Sequence, residues 1–195
     1  MRIAFFGTPE FAVPSLHALL TAGYELASVV TQPDRPRGRS RSRLVPSTIK
    51  ETAQDLGLPV LQPERPSGDV FQATLRRLDL DLGIVVAYGH ILRQEVLEIP
   101  RLGMINVHAS LLPRLRGAAP IEWAILNGDH ETGVSIMQMT AGLDSGPVLQ
   151  SDHTPIGKTE TKGELRSRLA HLGSVALDEV LRNIDGGSLK GTPQD

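Results

Sequence analysis

Short apolar runs alternate along this chain with longer stretches whose apolar positions recur every three or four residues, the periods of strand and helix. Ile3-Ala4-Phe5-Phe6 predicts a buried strand ending at Gly7. Pro9 then opens a helical stretch to Ala22, closed by Gly23. Leu26 to Thr31 reads as a second strand, followed by a Pro/Arg/Ser loop from Pro33 to Pro46. Ser47 to Leu56 predicts a helix with Ser47 or Thr48 as cap and Gly57 as stop. Val60-Leu61 is a short strand and Val70 to Leu78 a further helix. Leu82-Gly83-Ile84-Val85-Val86-Ala87 is the clearest fully buried strand. Met104 to His108, Val134 to Met139 and Val148 to Ser151 supply three more. A last helix over about 162–184 places Leu165, Leu169, Leu172, Ala176, Val180 and Ile184 on one stripe.

Continuous apolar strands separated by helices indicate an α/β domain with a mainly parallel sheet covered on both faces. A length of 195 residues fits one such domain. Ligands of open α/β sheets bind beyond the carboxyl ends of strands, so those ends are where chemistry is expected.

Composition narrows the possibilities. With no cysteine, disulfides, thiolate metal sites and cysteine nucleophiles are excluded. Met1-Arg2-Ile3 runs straight into a strand signal and no apolar run approaches ~18 residues. No export signal and no membrane span are therefore expected. A net charge of -2 argues against general affinity for nucleic acid and confines any such affinity to a local patch. The first strand-turn-helix junction, Gly7-Thr8-Pro9-Glu10-Phe11, has one glycine where a dinucleotide fingerprint needs three, and Pro9 removes an amide donor. No NAD site is expected.

Three features carry candidate chemistry. In Met104-Ile105-Asn106-Val107-His108, residues two apart share a face, so an amide donor lies beside an imidazole. Together they suit oxyanion stabilisation and proton transfer. A satisfied core histidine would give the same triplet. His17, His90, His130, His153 and His171 show no metal-ligand spacing with His108, and no metal is expected. The second feature is Asp144 in Ala141-Gly142-Leu143-Asp144-Ser145-Gly146-Pro147, after the Val134–Met139 strand. At the end of that strand, on the side of the sheet where His108 is expected, it is either turn chemistry or a carboxylate placed to orient the His108 ring and favour its imidazolium. The third is Arg35, Arg37, Arg39, Arg41 and Arg43 among Pro, Gly and Ser, either solvated chain or a loop that orders on phosphates.

Three stretches make the pattern specific: Gly7-Thr8-Pro9-Glu10-Phe11-Ala12-Val13-Pro14, the run from Asn106 through Leu111-Leu112-Pro113 to Ile121, and Gly142 to Pro147. Over its whole length the chain resembles the methionyl-tRNA formyltransferase family. The asparagine-histidine stretch and the aspartate loop are shared with other folate-dependent formyltransferases, whereas the Gly7–Ala12 stretch points to the tRNA enzymes. The resemblance implies a Rossmann-like fold and a catalytic set of Asn106, His108 and Asp144. It implies folate contacts at Ile91 and Leu92, at Ser110, Leu111, Leu112 and Pro113, and at Gly142 and Leu143. The five arginines would contact tRNA. The cosubstrate implied is 10-formyltetrahydrofolate, the partner initiator methionyl-tRNA, and the setting a monomer in the bacterial cytoplasm. In this reading residues 1–189 are the catalytic domain and 190–195 begin a linker to an RNA-binding domain outside this chain. Leu115 departs from the tryptophan common in the family, and the basic loop uses arginine and serine where lysines are common. Formyl transfer to a small amine or amino sugar, formylfolate hydrolysis, and an RNA-binding module without catalysis are the alternatives.

Overall fold

The computed structural model describes residues 1–37, 43–184 and 190–195. Among the described residues, nine strands and six α-helices follow one another as β1 (Arg2–Gly7), α1 (Val13–Thr21), β2 (Glu25–Val30), β3 (Arg35–Arg37), β4 (Arg43–Val45), α2 (Thr48–Asp55), β5 (Val60–Leu61), α3 (Asp69–Arg77), β6 (Leu82–Val86), α4 (Gln94–Leu97), β7 (Met104–His108), α5 (Pro120–Leu126), β8 (Glu131–Gln138), β9 (Val148–Pro155) and α6 (Lys162–Arg182). Seven strands form one sheet in the order β5-β2-β1-β6-β7-β8-β9. The first five are parallel, and β8 and β9 each pair antiparallel to the preceding strand. The fold is α/β and Rossmann-like, as expected.

Alternation along each strand divides the core in two. Ile3 and Phe5 of β1 pack with Ile84 of β6, Ile105 and Val107 of β7 and Leu165, Leu169 and Leu177 of α6. Ala4 and Phe6 face the other way, with Phe71 and Leu75 of α3, Val96 and Leu97 of α4, and Met104. The Thr161 side chain and Glu164 form a reciprocal capping box that starts α6. The helix approaches β7 closely at Gly173, where a Cβ would lie 2.8 Å from Val107. With Ile105 and Val107 committed to α6, Asn106 and His108 necessarily project from the opposite face of β7.

Several elements differ from the sequence expectations. The helix expected from Pro9 to Ala22 is divided into a 3-10 turn (Glu10–Ala12) and α1, because the ring of Pro14 cannot donate to, and crowds, the carbonyl four residues before it. The expected loop 33–46 contains an antiparallel ladder, Arg35↔Val45, Pro36↔Leu44 and Arg37↔Arg43. Leu44 in this ladder is 62% exposed, and no apolar alternation announces it. Helices α4 and α5 were not expected. Both are short, and α5 begins at Pro120 behind Ala119 in the left-handed region.

Candidate active site

Strand β7 delivers Asn106 and His108 to one end of a cavity of about 730 Å³. Its walls come from the segments after β1, β6 and β7, with Leu143 and Asp144 closing one side. Both strand residues are buried, at 9% and 6% exposure, yet border the cavity. No hydrogen bond to the Asn106 side chain is found among the described residues, so its amide is available to a ligand.

Asp144 reaches this point by an unexpected route. Strand β8 runs antiparallel to β7, and its carboxyl end lies beside Ile105, at the amino end of β7. The loop after β8 therefore starts at the wrong end and doubles back along β7 until Asp144 Oδ2 is 3.6 Å from His108 Nδ1. The expectation that β8's carboxyl end adjoins His108 treated β8 as another parallel strand and is corrected. The carboxylate nevertheless arrives. It is fixed by the Gly117 N–H, which donates to Oδ2 at 2.8 Å.

The ring of His108 is oriented by the Leu115 carbonyl, 2.9 Å from Nε2. A carbonyl only accepts, so Nε2 carries a proton. At 3.6 Å the carboxylate lies beyond hydrogen-bond reach of Nδ1. Asp144 thus faces the ring without hydrogen-bonding to it. Among the described residues Nδ1 has no hydrogen-bond partner, and it is the ring nitrogen left for a ligand.

Ile91, Leu92, Gly142 and Leu143 line the cavity, Ile91 and Leu143 with exposed side chains. Ser110, Leu111, Leu112 and Pro113 do not line it. They form a turn fastened to β8: Ser135 Oγ donates to Ser110 O at 2.8 Å and accepts from Leu112 N at 3.1 Å, while Ser110 Oγ donates to Arg114 O at 2.6 Å. The Leu112–Pro113 peptide is cis. This turn presents the Leu115 carbonyl and the Gly117 amide to the site. Leu115, Gly117 and Ser135 were missed because backbone groups and a lone serine in a strand leave no mark in sequence.

Other cavity residues were also missed. Arg166 of α6 stands at the mouth, 3.3 Å from Glu10. Burial pushes the Tyr88 hydroxyl up to about 12, so it stays neutral. Tyr88 Oη and His90 Nε2 are buried and have no partner among the described residues. Of the arginine loop, Arg35 is exposed on β3, Arg37 and Arg43 sit in the ladder, and Arg39 and Arg41 fall outside the described residues. No group of three or more His, Asp or Glu able to hold a metal is found among the described residues. No described helix is long and apolar enough to cross a membrane.

A family model described as formyl transferase matches residues 1–181. The chain belongs to the formyl transferase family. It is 52% identical over 194 residues to a methionyl-tRNA formyltransferase of Alcanivorax borkumensis, covering 100% of this chain and 58% of that protein. A second, from Pseudomonas paraeruginosa, is 53% identical over 195 residues, covering 100% and 63%. The chain thus spans less than two thirds of the length of these relatives. Among solved structures, a phosphoribosylglycinamide formyltransferase of Bacillus halodurans aligns with a TM-score of 0.78 at 20% identity, over 95% of this chain and 96% of that one. An N-formyltransferase of Helicobacter canadensis, solved with folinic acid and dTDP-3-aminofucose, aligns with a TM-score of 0.75 at 18% identity, over 99% and 67%. At these identities the structural likeness is one of fold alone.

Proposed function

We propose that this chain is the formyl-transferring domain of a methionyl-tRNA formyltransferase, moving a formyl group from 10-formyltetrahydrofolate to the amino group of initiator methionyl-tRNA. The observation that carries the chemistry is the convergence of Asn106, His108 and Asp144 at one cavity. The acceptor is argued from relatives of that name at 52% and 53% identity over the whole chain.

In this reading the methionyl nitrogen attacks the formyl carbon, a C–N bond forms, and the formyl oxygen becomes an oxyanion. The Asn106 amide and the Nδ1–H of a doubly protonated His108 donate to it, both from buried side chains. Asp144 supplies the countercharge for the ring. As the bond from carbon to N10 of the folate breaks, Asp144, directly or through water, relays the proton leaving the amine to N10. Tetrahydrofolate and the formamide result. The pterin is assigned to the wall made by Ile91, Leu92, Gly142 and Leu143. Ser110 to Pro113 support that site from behind through Ser135.

Arg35 to Arg43 are proposed to contact tRNA phosphates. The described chain acts as the catalytic part of a monomer in the bacterial cytoplasm, the remainder of the tRNA surface being contributed by a further domain. The test is release of tetrahydrofolate from 10-formyltetrahydrofolate with methionyl-tRNA, with free amines, and with neither. Release dependent on methionyl-tRNA is expected. Equal release with water alone would make the protein a hydrolase, and preference for a small amine would move the acceptor elsewhere.

A further inference from the structure

Residues 115–117 tie three parts of the site together. Leu115 holds His108 through its carbonyl, and Gly117 holds the Asp144 carboxylate through its amide. Between them, Arg116 extends away from the cavity, and its guanidinium donates to Gln194 Oε1 from Nε at 3.0 Å and from Nη2 at 2.8 Å. Gln194 Nε2 in turn donates to the carbonyls of Asp144 at 3.0 Å and Gly146 at 2.7 Å. Two carbonyls and a guanidinium leave one orientation for the carboxamide, nitrogen toward the loop and oxygen toward the arginine.

The segment that brings Gln194 here is itself anchored. Thr192 exchanges both backbone hydrogen bonds with Val148 at 2.8 Å. Gly191 allows the approach, since a Cβ there would lie 2.8 Å from Pro147 Cβ and 3.1 Å from Val148 O. Residues 190–195, expected to begin a linker, run against the first residue of β9 beside the Asp144 loop. That loop needs holding. It doubles back along β7, and Asp144 has φ 45°, a left-handed conformation unfavourable to a residue with a side chain.

We propose that Gln194 is a positioning residue for Asp144, and that the 190–195 segment is a working part of the site. Gln194 fixes the Asp144 main chain while Gly117 fixes its carboxylate, and Arg116 links the two clamps. The catalytic consequence rests on the formyl-transfer reading; the clamp itself does not.

The test uses the full 195-residue chain in three variants. Gln194→Met keeps bulk and removes every polar contact of the carboxamide. Gln194→Glu keeps an acceptor for Arg116 and removes both donors to the loop. Gly191→Val displaces the segment without altering Gln194. Amide exchange without substrates is expected to rise about tenfold or more over residues 142–146 in all three, with β7 and α6 unchanged. At saturating substrates kcat should fall roughly 10- to 100-fold, while the Kd for 10-formyltetrahydrofolate rises less than about threefold. A role in general stability would instead lower the melting temperature and spare kcat well below it. Should Gln194→Glu or Gly191→Val fail to fold, Gln194→Met decides. Unchanged exchange in the folded variants overturns the clamp. Faster exchange with kcat within about twofold of wild type overturns the positioning role. A wild-type protein unable to formylate methionyl-tRNA refutes the functional reading, and the exchange measurement still decides the clamp.

Discussion

The Asp144 loop and the arginine hairpin are both surface connections, and they are held in opposite ways. The first is tied from outside itself, by Gly117, by Gln194 and through the charge facing His108. The second, β3–β4, pairs with itself. Its nearest anchor is Asp34, which accepts from Lys50 Nζ at 2.6 Å and Gln62 Nε2 at 2.7 Å. In the catalytic role proposed for Asp144, displacement by about 1 Å would cost rate, so fixing the carboxylate from several elements offsets the strain at φ 45°. A surface that meets an extended polyanion gains from adapting to it, since phosphate contacts are long-ranged and tolerant of position. The two proposed roles, chemistry and tRNA contact, thus fall to segments that are tied in different ways.

Breaking the rigid side should cost most. In Asp144→Asn the amide oxygen keeps the Gly117 hydrogen bond but the charge beside Nδ1 is gone. We expect kcat to fall about 1000-fold or more with folate affinity within a few-fold, measured by single-turnover formylation and ligand titration. Near-normal turnover would reduce Asp144 to a turn former. Asn106→Ala removes one oxyanion donor and should lower kcat about 100-fold, with little change in the melting temperature. An equal loss in kcat and in folate affinity would place the amide on the folate instead.

The arginine hairpin should respond in affinity. Replacing Arg37, Arg39, Arg41 and Arg43 by Ser is expected to raise the KM for methionyl-tRNA about tenfold at roughly 0.15 M salt and leave folate binding unchanged. It should also flatten the log-log salt dependence of tRNA binding, by roughly 0.7 to 0.9 for each phosphate no longer neutralised. An identical slope in the two proteins would return the hairpin to solvated chain.

The smallest effect concerns the hairpin's anchor. The Lys50 ammonium, then the Gln62 amide, hold the Asp34 carboxyl below the usual carboxylate range. The folded state therefore favours the ionised form. This contribution is fully present above the unfolded value of about 3.9 and fades as pH falls through the folded value. Thermal melts from neutral pH down to about pH 2.5 should show a small acid-dependent loss in wild type that Asp34→Asn lacks. Superimposable pH profiles would detach Asp34 from the anchorage.

Much of this molecule is written locally. Strand β7 lies where Met104-Ile105-Asn106-Val107-His108 alternates, and α2 begins at its Ser47 cap, whose side chain accepts from Lys50 N. Nothing local announces the β3–β4 ladder, because Pro and Arg satisfy a two-stranded ribbon without an apolar face. The reversed direction of β8 is equally silent. Its apolar run suits either direction, and only its pairing, Ile105 with Gln138, shows which was taken.

Elements and faces were legible from residue order: the strand and helix periods, the shared face of Asn106 and His108, and the glycine-flanked aspartate. These follow from the geometry of residues a few positions apart. The packed chain was needed to show that Asp144 doubles back to His108, that Leu115 orients the ring, that Ser110 to Pro113 stand behind the cavity wall, and that Gln194 grips the Asp144 loop. Most of these contacts join residues distant in the chain, 27 positions for Gly117–Asp144 and 50 for Gln194–Asp144. They depend on backbone groups that every residue carries alike, so side-chain pattern has no means of recording them.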